Sequence, residues 1–287
     1  MNKQLVLQTD FGWCDGAVSA MYGVAVSVDL DLSIYDITHE ITPFHIWEGS
    51  YRLYQTITYW PSGTVFVSVV DPGVGSNRLS VVIKTKTGHF IVTPDNGTLT
   101  HIQQYIGIEE VREIDETVNR LPNSNASYTF HGRDVYAYTG ARLASGVISY
   151  EEVGSPLKTD QLVQLHNSPA KREGSAITGV VDILDARFGN VWTNISQTLF
   201  EELNIEHGDR VEVTITNHRS KIYQSSMVYE KSFAAIKLGE PLVYVNSLDN
   251  VAIGINQGSF AKAYKVESGA HWEVQITKDA ETQTKKQ

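Results

Sequence analysis

Four short polar clusters concentrate the residue types that do chemistry. They are Asp10-Phe11-Gly12, Asp71-Pro72-Gly73-Val74-Gly75 with Arg78, Pro94-Asp95-Asn96-Gly97, and Phe130-His131-Gly132-Arg133-Asp134. They follow predicted strand ends, which is where ligands bind in open α/β sheets. Asp71, Arg78 and His131 supply an anion, a permanent cation and a group that titrates near neutrality. Such a set can hold and polarise a water molecule. The cation favours hydroxide, and the carboxylate or imidazole orients the water or accepts its proton. A plainer reading stays open beside this one, since a surface Asp–Arg pair and an ordinary histidine have the same composition. Taken singly, Asp10 reads as a helix cap, and Asp-Pro-Gly and Asn96-Gly97 read as turns.

Familiar signatures of other chemistries fail on inspection. Asp10-Phe11-Gly12 spells the kinase magnesium triplet, but no catalytic-loop pattern accompanies it. Gly73-Val74-Gly75 lacks the Lys-Ser/Thr ending of a phosphate loop and the third glycine of a dinucleotide fingerprint. The nine histidines are scattered with no His-Glu-x-x-His pair, so no metal site is expected. No Gly-x-Ser-x-Gly elbow is present, which argues against a serine hydrolase.

The elements that must position these clusters alternate in the first half of the chain. Apolar residues 5–7 read as a strand ending at Asp10, and Asp15 caps a predicted helix through residues 21–28. Residues 32–37 read as a strand. Pro43 opens a helix carrying Trp47, Tyr51 and Tyr54 on one face. The β-branched run 64–70 reads as a buried strand. Residues 80–86 and 90–93 form a hairpin about Thr87-Gly88, and helices are expected through Leu99 and Ile102 and over 133–143. Alternation of this kind predicts an α/β layered sheet.

Residues 155–175 carry two prolines and few periodic apolar residues. Beyond them short β-rich segments recur at 177–183, 191–195, 211–215, 222–228, 242–245, 251–255 and 272–276, with one short helix near 199–203. A small β-barrel or sandwich is expected there. The boundaries drawn are an N-terminal α/β domain over 1–160, a linker over 161–174 and a C-terminal domain over 175–287, with a polar, frayed tail from 278.

The 287 residues allow two domains with full cores, and the net charge of −10 argues against a protein that coats nucleic acid. The single cysteine, Cys14, fits a reducing compartment and reads as a small buried core residue. No targeting or membrane-spanning segment is expected, so the reading is a cytoplasmic enzyme for a small molecule.

At these same clusters the chain resembles the S-adenosyl-L-methionine (SAM) hydroxide adenosyltransferases, or SAM hydrolases, relatives of the fluorinases and chlorinases. The resemblance runs through Thr9-Asp10-Phe11-Gly12, Ile41-Thr42-Pro43-Phe44, residues 71–78, Pro94-Asp95-Asn96-Gly97 and Phe130-His131-Gly132-Arg133-Asp134. It continues in the second half through residues 185–194 and Asn246-Ser247. It implies an N-terminal α/β layered-sheet domain followed by a smaller C-terminal β-barrel. It also implies a homotrimer that binds SAM between the N-terminal domain of one subunit and the C-terminal domain of the next. No cofactor is implied, SAM being the substrate.

By resemblance, Asp10 binds the ribose hydroxyls, Phe44 lies near the ribose and sulfonium, and Asp71, Arg78 and His131 form the catalytic set. Gly132 belongs to the nucleophile pocket. Asp185, Phe188 and Asn190 hold the methionine ammonium and the adenine, Tyr229 lies against the adenine, and Ser247 contacts the methionine carboxylate. Asp71 and His131 stand where fluorinases carry tyrosines, and Gly132 where they carry a halide-contacting serine, so the chain sides with the hydrolases. Leu248 and Ile255 stand where fluorinases carry arginines. The expected reaction is SAM plus water giving adenosine and L-methionine. The alternatives are a SAM-dependent halogenase, a non-catalytic SAM or adenosine sensor, and a metal-dependent nucleoside hydrolase.

Overall fold

The computed structural model describes residues 2–279, which fall into two compact units that divide between Leu165 and His166. In the first unit, β1 (Gln4–Thr9) leads to α1 (Ala17–Val28), β2 (Ser33–Thr38), α2 (Ile46–Ile57) and β3 (Val65–Val69). The hairpin β4 (Ser80–Thr85) and β5 (Phe90–Pro94) follows, then α3 (Thr100–Tyr105) and β6 (Ile108–Glu113). A π-helical segment, Gly132–Ala137, runs directly into α4 (Tyr138–Ser145), and β7 (Pro156–Leu157) closes the unit. The sheet order is β2-β1-β3-β5-β4-β6-β7. Strands β2, β1, β3 and β5 are parallel, and β4, β6 and β7 pair antiparallel.

The central strands are buried on both faces, and their period of two sorts them into two cores. Leu5, Leu7, Val65, Val67 and Val92 pack with Met21 and Ala25 of α1 and Ala141 and Leu143 of α4. Val6, Phe66, Val81, Ile83 and Ile91 pack on the other side with Leu53 and Ile57 of α2 and Ile102 of α3. Since β1, β3 and β5 run the same way, Asp10, Asp71 and Asp95 all emerge at one sheet edge. Antiparallel β4 starts at that edge, with Ser80 opposite Pro94, and so brings Arg78 there.

In the second unit β8 (Lys171–Glu173) and β9 (Ala176–Leu184) precede β10 (Val191–Ser196), α5 (Gln197–Glu201), β11 (Arg210–Asn217) and β12 (Ser220–Tyr229). Then come β13 (Pro241–Val245), β14 (Asn250–Ile255), α6 (Phe260–Tyr264) and β15 (Gly269–Lys278). The order β10-β14-β13-β12-β11-β15-β9 closes through a β9–β10 pairing into a seven-stranded barrel, with β8 added outside β9. Alternate residues such as Val211, Val213 and Ile215, and Trp272, Val274 and Ile276, fill its interior.

The α/β sheet and the barrel are the architecture expected from the sequence. Strand β6 and helix α6 had no counterpart in the expectation, which placed only one short helix in the second half. Residues 161–174, read as a linker, include buried Leu162 in the first unit and strand β8 in the second. Cys14, read as buried, is exposed. The tail expectation holds no structural comparison beyond residue 279, because 280–287 lie outside the described residues.

Helix α4 lies so close to the sheet that a Cβ on Gly140 would sit 2.5 Å from Val67 Cγ2 and 3.2 Å from Leu5 Cδ1. Gly140→Ala is therefore expected to destabilise the N-terminal unit by about 1–3 kcal/mol, despite alanine's better helix propensity. Chemical denaturation checks this, and an unchanged or higher midpoint would contradict the close packing.

Candidate active site

The first unit carries one set of candidate groups around an open cavity of about 400 Å³. Phe11, Asp15, Asp71, Val74, Phe130, His131 and Gly132 are among its lining residues. Arg78 grips Asp71 with two donors, Nε to Oδ1 at 2.8 Å and Nη2 to Oδ2. The same Nη2 donates to His131 Nδ1 at 3.1 Å, and Nη1 donates to Ser80 Oγ at 3.0 Å. Ser80 Oγ bonds in turn to Tyr136 Oη at 3.1 Å, and the guanidinium carbon lies 5.5 Å from the centre of the Tyr136 ring. All guanidinium nitrogens are thus engaged. The side chains of Arg78 and Asp71 are only 10% and 5% exposed.

Burial works against the Arg78 charge, but the bond to Asp71 and the charges around it raise its pKa above the ordinary arginine value. His131 moves down from the ordinary 6.5. Burial is the largest cause, the charges of Arg78 and Arg120 add to it, and Glu116 and Asp71 oppose it. The buried Tyr136 hydroxyl is pushed up, chiefly by desolvation, and so stays protonated.

Asp10 stands just beyond β1. Its Oδ2 accepts the backbone N–H of Phe44 at 2.8 Å. Phe44 reaches that position with φ of +68°, a left-handed conformation unusual for a bulky residue, and its ring is 70% exposed. Burial raises the Asp10 pKa, the Phe44 bond opposes the shift, and the Asp71 charge adds to it. The loop after Asp10 is held from beneath. Thr9 Oγ1 bonds to His39 Nδ1 at 2.7 Å and accepts the N–H of Phe11, while Gly12 N–H donates to the His39 carbonyl at 2.7 Å. Asp36 Oδ1 takes the other His39 nitrogen at 2.9 Å, and Tyr22 donates to Asp36 Oδ2. Gly132 faces Phe11, whose ring would lie 2.9 Å from an added Cβ.

The second unit carries a separate set. Asp185 Oδ1 accepts the N–H groups of Arg187 and Phe188 at 3.2 and 3.3 Å, and Oδ2 accepts Asn190 Nδ2 at 3.3 Å. Gly189 turns the chain there with φ of +70° against Ser259, too close for any side chain. Phe188 is left exposed. With buried Asn190 and Phe233, Arg187, Ile255 and Gln257 it lines a cavity of about 570 Å³.

Tyr229 and Ser247, both expected substrate contacts, do not line this cavity. Tyr229 is buried in the barrel core, 5.0 Å from the Phe200 ring and 4.7 Å from that of His207, and does not line the cavity. Period two at the end of β12 puts it inside with Met227. Phe233, which sequence reasoning passed over, lines the cavity together with Phe188. Ser247 lies on an exposed turn between β13 and β14 and is not among the cavity's lining residues. Among the described residues no group of three or more His, Cys, Asp or Glu is arranged to hold a metal ion, and no helix is long and apolar enough to cross a membrane.

Residues 5–154 match the model of the SAM hydroxide adenosyltransferase N-terminal domain, and residues 179–273 match that of the C-terminal domain. The chain belongs to the SAM hydroxide adenosyltransferase family. It is 37% identical to the (R)-S-adenosyl-L-methionine hydrolase of Methanocaldococcus jannaschii over 76% of this chain and 75% of that one. It is 33% identical to the corresponding hydrolase of Salinispora tropica over 91% and 93%. A fluorinase of an Actinoplanes species matches at 27% identity over 93% and 96%. An uncharacterised conserved protein from Thermotoga maritima has the same fold, with a TM-score of 0.86 and 34% identity over 96% of this chain and all of that one.

The family assignment leaves the energetics of the buried ion pair to be tested directly. Arg78→Met strands the Asp71 carboxylate in a buried place and is expected to cost about 3–5 kcal/mol of stability. Adding Asp71→Asn should recover part of that loss, because the uncompensated charge goes with it. A double-mutant cycle in denaturant checks this. Strictly additive losses would show that the two side chains are not coupled.

Proposed function

We propose that this protein hydrolyses SAM to adenosine and L-methionine. The observation that carries the reading is the hydrogen-bonded Asp71–Arg78–His131 cluster, with Asp71 and His131 on the cavity wall and Asp10 near Asp71. The names of the hydrolase relatives support the same activity.

Asp10 takes the ribose hydroxyls, for which a carboxylate offers two acceptors. Its burial and the Phe44 N–H fix where that contact is made. A water held between Asp71 and His131 attacks ribose C5′ in line with the sulfonium. The bond from water oxygen to C5′ forms as the C5′–S bond breaks, and the electron pair leaves with sulfur as a neutral thioether, so no general acid is needed. Asp71 accepts the water proton. Each of its oxygens keeps a lone pair beyond the bond to Arg78. Arg78 stays protonated and acts as a fixed positive charge beside the nucleophile. His131, neutral and pinned through Nδ1, orients the water. Alignment in a water-poor pocket supplies most of the acceleration.

The anion at Asp71 also disfavours a halide nucleophile, which is the chemistry in the name of the fluorinase relatives. On the barrel, Asp185, Phe188, Asn190 and Phe233 hold the adenine and methionine ends. Ser247 and the methionine carboxylate meet only if the exposed turn serves the site. The reading carries with it a cytoplasmic homotrimer that uses no metal or other cofactor. In it the first unit of one copy and the second unit of the next share one SAM.

Purified protein incubated with SAM is expected to release adenosine and methionine, read by chromatography, with no 5′-chloro-5′-deoxyadenosine when chloride is added. Asp71→Asn should lower turnover at least ~100-fold while KM changes little. Asp10→Ala should mainly raise KM. Near-normal turnover in Asp71→Asn would overturn the role given to that residue, and a chlorinated product would favour the halogenase reading.

A further inference from the structure

His131 is flanked on both ring nitrogens by arginines. Arg78 Nη2 donates to Nδ1 at 3.1 Å, and Arg120 Nη1 lies 3.5 Å from Nε2. A guanidinium has donors only, so an imidazolium placed here would point both of its N–H groups at other N–H groups, whereas the neutral ring, accepting at Nδ1, points only its Nε2–H that way. The second arginine belongs to none of the sequence motifs. It lies in the stretch between β6 and the π-helical segment, and it is 8% exposed. Its remaining donors bind the loop that delivers His131: Nη1 to Glu116 at 2.8 Å, Nε to Ser124 Oγ at 3.2 Å and Nη2 to the Ser127 carbonyl at 2.8 Å. The Tyr128 ring covers it, with the guanidinium carbon 4.7 Å from the ring centre, and the same ring makes an edge contact with His131.

We propose that Arg120 is a positioning residue that keeps His131 neutral and correctly turned beside the water site. The inference rests on the hydrolytic reading of that site. It explains why His131 orients water rather than accepting its proton, and so why the proton goes to Asp71. The charged groups facing His131 are Arg78 and Asp71 at the sheet edge and Arg120 and Glu116 in the loop. Asp15 lines the same cavity, and the neighbouring Arg133 and Asp134 pair with each other. Of the two arginines facing the ring, Arg120 is the one whose removal changes the field at Nε2 without breaking the Asp71–Arg78 pair.

The test is the titration of the His131 ring by NMR in the full-length protein, beside the pH profile of kcat. Arg120→Gln should raise the imidazole midpoint by about one pH unit. It should also bring an acid limb into kcat at a pH where the unsubstituted protein is flat, with KM for SAM little changed. Arg120→Lys, which keeps the charge, should return the midpoint most of the way. Glu116→Gln removes the opposing anion and should lower the midpoint, so it carries the test if Arg120→Gln does not fold. An unchanged midpoint in Arg120→Gln, or a rise in Glu116→Gln, overturns the inference. Failure of the unsubstituted protein to release adenosine would instead refute the hydrolytic reading, and the ring titration would still decide what Arg120 does to His131.

Discussion

Asp71 and Arg78 come from different strand ends and meet where neither charge is tolerable alone. With both side chains almost fully buried, the carboxylate needs the guanidinium and the guanidinium needs every acceptor it has found. That requirement fixes the end of β3, the start of β4 through Ser80, and the place of Tyr136 behind Ser80. It also fixes His131, whose Nδ1 takes the remaining reach of Arg78 Nη2. The parallel trio β1, β3 and β5 brings Asp10 to the same edge. Its repulsion with Asp71 is held in check by the Phe44 N–H, obtained through a strained backbone.

Positive charge at this site is arranged to do two different things. Arg78 stabilises the Asp71 anion and, in the proposed mechanism, the nucleophile beside it. Arg120, as inferred above, acts on the neutral His131 ring and disfavours its cationic form. The two guanidiniums lie at the two ring nitrogens of one imidazole, and the proposed mechanism accordingly gives the water proton to the Asp71 carboxylate. The polar relay Tyr22–Asp36–His39–Thr9 does comparable work under the Asp10 loop, holding it from below while leaving the carboxylate open.

Much of this was legible in the residues. The consecutive apolar residues Leu5, Val6 and Leu7 and the run from Val65 to Val69 announce strands buried on both faces. The polar clusters that follow them announce the edge where the candidate site is gathered. Strand β6 escaped notice because Ile108-Glu-Glu-Val-Arg-Glu carries four charges and only two fully buried residues. Helix α6 is five residues long and set by its Ser259 cap rather than by periodicity. Tyr229 and Phe233 are both aromatic and four residues apart. Only strand phase, which places Tyr229 inside with Met227, tells the core residue from the one on the cavity wall. Arg120 had no signal at all, because its partners Glu116, Ser124, Ser127 and His131 are gathered by an irregular loop that no local pattern specifies.

The central claim is that a water activated beside Asp71 attacks ribose C5′. Reaction in water enriched in oxygen-18, followed by mass spectrometry of both products, tests it most directly. The account predicts one labelled oxygen in adenosine, at the 5′-hydroxyl, and none in methionine. Adenosine without label, or label in methionine, would contradict it.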